Sequence, residues 1–224
     1  MQIEKSTFQF LKDLQKNNNR DWFAEHKPTF TKIQSQVKEV FLEMQLNLEK
    51  HDEIEKMKIY RIYRDVRFSK DKTPYNPRLA VSFSRLGAAL RGGYFLQIKP
   101  GETFLGGGFW QPEKDDLFRL RKEIEQDASE FYDILNDKNY IKHFGGKFAG
   151  DELKSAPRGF DKTHKDIDLL RKKGFIAIRN FTDAEVLSPN FLSELDESFK
   201  ALRPFFNLFS DILTTNLNGE SIID

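Results

Sequence analysis

Between positions 58 and 78 seven cations, Lys58, Arg61, Arg64, Arg67, Lys70, Lys72 and Arg78, face only two carboxylates, Asp65 and Asp71. The stretch carries +5 in a chain whose net charge is +1, so the excess is local and asks for a local cause. A guanidinium fork matches a phosphate or carboxylate with two parallel hydrogen bonds, which makes anion recognition the chemistry these residue types suit. Tyr60, Tyr63, Phe68 and Tyr75 interleave the cations, a mixture that also serves phosphate contact and base stacking.

Read as a strand, residues 59–68 alternate. Tyr60, Ile62, Arg64, Val66 and Phe68 share one face, and Ile59, Arg61, Tyr63, Asp65 and Arg67 the other. Arg64 then lies among apolar neighbours and needs a carboxylate, Asp65 or a more distant one, because an unpaired buried charge is costly. This register makes Arg64 and Asp65 a structural charge pair and turns Arg61, Arg67, Lys70, Lys72 and Tyr75 toward a ligand. A second polar stretch, Lys154 to His164, is a loop because of Pro157 and Gly159, and it offers Lys154 and Arg158 as further ligand contacts. The reading is a binding or catalytic domain for a small phosphorylated or carboxylated ligand. Two alternatives stand beside it: a scaffold or protein-interaction domain whose charges hold the fold, and weak nucleic-acid binding.

The residues Arg64-Asp65-Val66-Arg67-Phe68-Ser69-Lys70-Asp71-Lys72-Thr73-Pro74-Tyr75 resemble the signature of a mostly bacterial family of conserved hypothetical proteins, the domain of unknown function 2461. Asn18 to Phe23, Gly106 to Pro112 and Leu153 to Phe160 fit the same family, so the resemblance spans nearly the whole chain. It implies a family and carries over no activity, ligand or catalytic residue.

Other chemistries find little to stand on. There is no cysteine, which excludes disulfides, thiolate metal sites and a cysteine nucleophile and fits the cytoplasm. His26, His51 and His143 are isolated, and His164 with Asp166 and Asp168 would splay around a helix, so neither a metal site nor another cofactor is expected. His164 at a helix start is a candidate general base or a capping residue. No nucleophile elbow occurs, and Ser69, Thr73 and Tyr75 have no activating histidine beside them in the sequence. Gly106-Gly107-Gly108 either brings backbone amides to a phosphate or forms a bulged strand, and it matches no P-loop or dinucleotide fingerprint. The near-neutral total and an acidic stretch from Asp183 to Asp224 oppose strong nucleic-acid binding. No apolar run reaches the length of a membrane span.

The elements that must position the basic stretch follow from periodicity. Ser6 and Gln9 form a capping pattern before the stripe Phe8, Leu11 and Leu14. Asn19 caps a short helix at 20–26, and Pro28 opens a longer one to about His51. Alternation predicts strands near 59–66, 79–84, 93–99, 103–109 and 175–181. Helices are expected on both sides of Asp127, a loop at 140–150, a helix after the Thr163/Asp166 capping pattern, and a C-terminal helix from Ser188-Pro189 that Pro204 kinks or splits. The sum is an α+β fold: an antiparallel sheet of about five strands covered by helices from both ends of the chain, in one domain spanning 1–224. Its parts are a helical 6–51, a sheet-forming 58–110, helices and loops at 113–173, and a last strand and helix at 175–217.

Overall fold

A computed structural model describes residues 1–216 and 218–223; Leu217, at the end of the expected C-terminal helix, and Asp224, the last acid of the tail, lie outside the described residues. The fold is α+β, with five strands, β1 (Ile54–Ile59), β2 (Leu79–Arg85), β3 (Gly93–Ile98), β4 (Thr103–Phe109) and β5 (Phe175–Phe181), in one antiparallel sheet ordered β1-β2-β3-β4-β5. Helices α1 (Lys5–Lys16) and α2 (Arg20–Leu48) precede the sheet, and α3 (Lys114–Gln126), α4 (Ser129–Asn136), α5 (Lys138–Phe144) and α6 (Ile167–Leu170) fill the interval before β5. Helices α7 (Asp183–Val186), α8 (Phe191–Ala201) and α9 (Arg203–Thr214) follow it. The chain divides into two compact units, Met1–Phe83 with Phe95–Leu105 and Asn180–Glu197, and Ser84–Tyr94 with Gly106–Arg179 and Ser198–Asp224.

In the first unit the α1 stripe forms as its spacing requires, with Phe8, Leu11 and Leu14 buried, and Phe10 stacks on Phe30 of α2 at 5.7 Å. The expected capping box does not form. Helix α1 begins at Lys5, and Ser6 instead donates to the Glu4 carboxylate. Asn19 caps α2 through the amide of Trp22 at 2.9 Å, but α2 is one helix rather than two. Pro28 lies inside it and removes a single donor, while apolar residues from Phe23 through Phe30 and Ile33 to Leu48 keep one buried face continuous.

The second unit is built on aromatic packing. Phe209 of α9 is fully buried and meets Phe205 at 4.5 Å and Phe109 and Phe175 at 5.1 Å. Pro204 falls in the first turn of α9, where a missing N–H costs nothing, so it divides the C-terminal helix as expected. Residues 140–150, expected as loop, contain most of α5, whose first turn donates two amides to the Asp137 carboxylate. The Thr163/Asp166 capping pattern is also absent: Thr163 bonds Asp161, and α6 starts without a side-chain cap. At the end of α6 the Arg121 guanidinium donates to the carbonyls of Leu170 and Lys172, both at 2.8 Å.

The first strand is the main correction to the sheet. Strand β1 ends at Ile59, and after Tyr60 donates to the Ala80 carbonyl the chain leaves the ladder. Residues 60–78 pair with themselves instead: Arg64 N–H donates to Pro74 O at 2.9 Å, Asn76 N–H to Ile62 O at 2.7 Å, and Tyr63 bridges Tyr75 in antiparallel sense. Pro74 and Pro77 supply no ladder donors, so this half of the basic stretch cannot continue as a sheet strand.

Candidate functional site

The 60–78 loop is held in shape largely by its own charges. The Arg64 guanidinium reaches the Asp71 carboxylate and the Thr73 hydroxyl, and donates to Thr73 O at 3.2 Å and Ser69 Oγ at 3.4 Å. Lys72 Nζ donates to the carbonyls of Val66 and Arg67 at 3.0 and 3.4 Å. These bonds close the turn Val66–Ser69 from both sides, with Ser69 N–H donating to Val66 O at 3.3 Å. The Asp71 carboxyl sits at about 2 against an ordinary 3.8, because it accepts the Thr73 amide, then the Arg64 guanidinium, then the Thr73 hydroxyl.

The expected charge pair is exchanged. Arg64 pairs with Asp71, seven residues on, while Asp65 takes Arg67 in a bidentate contact, Nε to Oδ1 at 3.0 Å and Nη2 to Oδ2 at 2.6 Å. Arg67 holds the Asp65 carboxyl below its usual range, and Asp65 raises the guanidinium in return. The burial of the two arginines differs, since the Arg64 side chain is 22% exposed and the Arg67 side chain 77%. The apolar face inferred for the strand is not formed either: Ile62 is buried, but Phe68 is 96% exposed. A chain that folds back on itself has no alternating faces, so a two-residue period predicts nothing about its side chains.

Asn18, in the link before α2, and Phe23 of α2 pin the loop from outside. Asn18 Nδ2 donates to Tyr75 O at 2.9 Å and Asn18 Oδ1 accepts the Tyr75 amide at 3.1 Å, a two-point clamp on the backbone of one residue. Phe23 stacks on Tyr75 with centroids 4.1 Å apart and meets Tyr63 edge-on at 5.8 Å. Tyr75, expected to face a ligand, is thus buried, and burial raises its phenol, with Tyr63 adding to the effect and Arg20 opposing it. Asn18 and Phe23 were missed as loop-positioning residues. Their signal in the sequence is an asparagine run that also reads as a helix stop and cap.

The remaining candidates divide by engagement. Lys58 lies over the Tyr60 ring at 5.0 Å, and Arg78 donates to the Gln97 side chain. Arg61 and Lys70 are exposed and make no hydrogen bond or ion pair with described residues. Lys154 and Arg158 belong to the second unit, where both are exposed and likewise unpaired among the described residues.

The histidines are built into local packing. His26 stacks on Trp22 at 4.0 Å, and His51 meets Asp196 at 2.8 Å. His143 accepts from Arg179 at 2.8 Å and lies 3.1 Å from the buried Ser198 hydroxyl. His164 Nδ1 accepts the Asp166 amide at 3.1 Å, and its Nε2 faces the Glu125 carbonyl at 3.2 Å, so both nitrogens are occupied by backbone and neither is poised as a base. Asp166 is buried beside the Tyr132 hydroxyl, whereas Asp168 is exposed; α6 starts only at Ile167, so His164 and Asp166 precede the helix expected to carry them and their placement is not set by helical spacing. The glycine run lies within β4 against aromatic side chains rather than around an open cradle. A cleft lined by Glu130, Asp133, Ile134, Pro204, Leu208 and Asp211 is acidic and unsuited to an anion.

Two expectations about the loop can be measured directly. Arg64→Ala removes a guanidinium only 22% exposed that ties Asp71, Thr73 and Ser69 together, and is expected to cost about 1–3 kcal/mol, a fall of roughly 2–12 °C in Tm for a chain of this size. Arg67→Ala removes an exposed pair and should leave Tm nearly unchanged; a larger loss for Arg67→Ala than for Arg64→Ala in parallel melts contradicts this division of roles. Because the folded Asp71 value is depressed, its contribution is complete above 3.8 and is lost as pH falls toward about 2. The Thr73 amide resonance should therefore titrate with a midpoint near 2, and a midpoint near 4, the ordinary carboxylate range, would mean that the Asp71 anchor is not formed in solution.

Residues 6–208 match the model of a family described as conserved hypothetical protein (DUF2461). Comparison with curated proteins and with solved structures gave no match. Within the match, the Asn18–Phe23 and Arg64–Tyr75 motifs are the two partners of the clamp just described.

Proposed function

The chain belongs to the DUF2461 family of conserved hypothetical proteins, and from that premise we propose that its 60–78 loop is a recognition element for phosphoryl or carboxylate groups. The observation that carries this reading is a division of labour among the cations. Arg64 and Lys72 build the loop and Asn18, just before α2, fastens it, while Arg61 and Lys70 are left exposed with no hydrogen bond or ion pair among the described residues, Arg61 acting on the Asp65 carboxylate only at a distance. A pre-ordered backbone spares the cost of ordering the loop on binding an anion, so only the side-chain rotamers of these cations remain to be fixed. Arg67 can join them by exchanging the exposed Asp65 carboxylate for a ligand oxygen, because both are met by the same fork. Lys154 and Arg158 remain candidate contacts of the second unit. The supporting residues point to binding and name no reaction. The cysteine-free sequence supports a cytoplasmic setting, and no helix of the described residues is long and apolar enough to cross a membrane.

A second reading, a scaffold or protein-interaction domain whose charges hold the fold, draws on the same pairing, since Arg64, Arg67 and Lys72 are all engaged internally. Thermal shift separates the two. A true anionic ligand at about 100 times its Kd adds roughly 2.7 kcal/mol, an upward shift of about 5–11 °C. Phosphate, tripolyphosphate, sugar phosphates and dicarboxylates form the panel, and the Arg61→Ala/Lys70→Ala double variant is expected to keep the wild-type Tm while losing the response. No response of the wild type to any of them leaves the scaffold reading in possession.

A further inference from the structure

Phe68 is the feature that anion binding alone does not explain. Its ring is 96% exposed, the most exposed large hydrophobic side chain among the described residues, although burying a phenylalanine ordinarily gains about 1.5–3 kcal/mol. It is not the end of a loose loop. The turn Val66–Ser69 that carries it is closed by Lys72 on the carbonyls of Val66 and Arg67, by Arg64 on Ser69 Oγ, and by the Ser69 amide on Val66 O. The backbone therefore presents the ring outward and holds it there. Cations surround it in sequence: Arg67 precedes it, with its guanidinium 5.9 Å from the ring centroid, and Lys70 follows two residues on.

We infer that this tip binds single-stranded nucleic acid, an unpaired base stacking on Phe68 while Arg61 and Lys70 take backbone phosphates. The inference rests on the reading of the loop as an anion-recognition element and names the class of anion. A ring so exposed has no walls around it and cannot enclose a small ligand, whereas a base brings a flat face of its own, and a strand makes its remaining contacts along its length. Tyr63, also exposed at the base of the same loop, offers a second ring. Between residues 61 and 72 five cations stand against Asp65 and Asp71, a local excess that complements a phosphodiester chain. An anionic bilayer is the competing partner for a basic loop with one aromatic tip. It is disfavoured because Phe68 is the loop's one fully exposed apolar residue, with Ile62 buried and Val66 and Pro74 half-buried, which leaves little surface to insert.

The test measures binding of the full chain to a fluorescent oligothymidylate, to an abasic strand of the same length, to tripolyphosphate, and to vesicles of mixed neutral and anionic lipid. The expected result is oligothymidylate binding that weakens steeply with salt and exceeds abasic binding by about 5–150-fold, the range that loss of one stacked base implies. Phe68→Ala, a surface change that leaves the Tm in place, should abolish that preference and leave tripolyphosphate binding intact, and Phe68→Trp should restore it. Equal binding of the two strands, with or without Phe68, overturns the stacking proposal while tripolyphosphate binding still upholds anion recognition. Binding of vesicles but no strand overturns it in favour of a membrane. Failure of every probe, tripolyphosphate included, overturns the underlying reading of the loop as well.

Discussion

Phe209→Ala is expected to be the most damaging single truncation in the second unit, with a loss of about 3–5 kcal/mol. The side chain is fully buried and sits at the centre of a ring cluster: Phe205 edge-on at 4.5 Å, Phe109 stacked and Phe175 edge-on at 5.1 Å, Phe131 at 5.6 Å and Phe148 at 6.1 Å. Removing it withdraws one partner from five aromatic contacts at once, and rings held by helices and by β4 and β5 cannot all close on the void. The transfer and cavity penalties therefore add rather than offset each other. In urea the midpoint should fall with the slope unchanged, and Tm should drop by roughly 6–20 °C. Phe209→Leu keeps most of the volume and is expected to recover much of the loss. A fall of less than about 1 kcal/mol for Phe209→Ala would mean that the cluster repacks freely and is not what holds this unit together.

How much of this was legible in the sequence depended on whether a local period reported a buried face. The three-four spacing of Phe8, Leu11 and Leu14, and of Phe30, Ile33 and Val37, located α1 and α2 because each stripe is buried as a unit. The alternation at 79–84 and 175–181 located β2 and β5 as well, although their first three residues are buried on both faces, Ala80 and Ile176 included. Between Tyr60 and Phe68 the same alternation misled. There the chain pairs with its own return at Pro74 and Asn76, and the residues that decide its path, Asp71, Thr73 and Asn18, lie outside any strand-sized window. Pro28 misled in the opposite direction: a proline at a plausible helix start sits inside α2 because the apolar stripe on either side of it outweighs one lost donor. At the candidate site the residue types were readable and the pairings were not. A +5 stretch suits anion recognition, but only the fold distinguishes the cations that build the loop, Arg64 and Lys72, from the exposed Arg61 and Lys70. Asn18 carries no charge and no periodicity, and the asparagine run it sits in reads first as a helix stop and cap, so its role in fastening the loop is hidden behind that local meaning.

The glycine run 106–108 offered two meanings, a phosphate cradle or a distorted strand, and substitutions separate them sharply. Gly108 has φ +125°, which an L side chain rarely adopts. A Cβ there would also run into the Phe175 carbonyl oxygen, with Phe205 Cε1 at 2.9 Å and the Ile176 Cα at 3.0 Å. Two of those obstacles are backbone of β5 and cannot swing aside. Backbone strain of about 1–3 kcal/mol then adds to overpacking of about 1–3 kcal/mol, so Gly108→Ala is expected to lose on the order of 2–6 kcal/mol. At Gly107 the φ is ordinary and the nearest obstacles are the Leu202 Cδ1 and the Phe206 ring, side chains that can turn. Gly107→Ala should therefore cost only overpacking, about 1–3 kcal/mol. If the run instead cradled a phosphate, the two variants would melt alike without ligand and differ only in a phosphate response. Chemical denaturation of both in phosphate-free buffer decides the matter: the packing account requires Gly108→Ala to be clearly the less stable, and equal midpoints would remove β5 as the reason for these glycines.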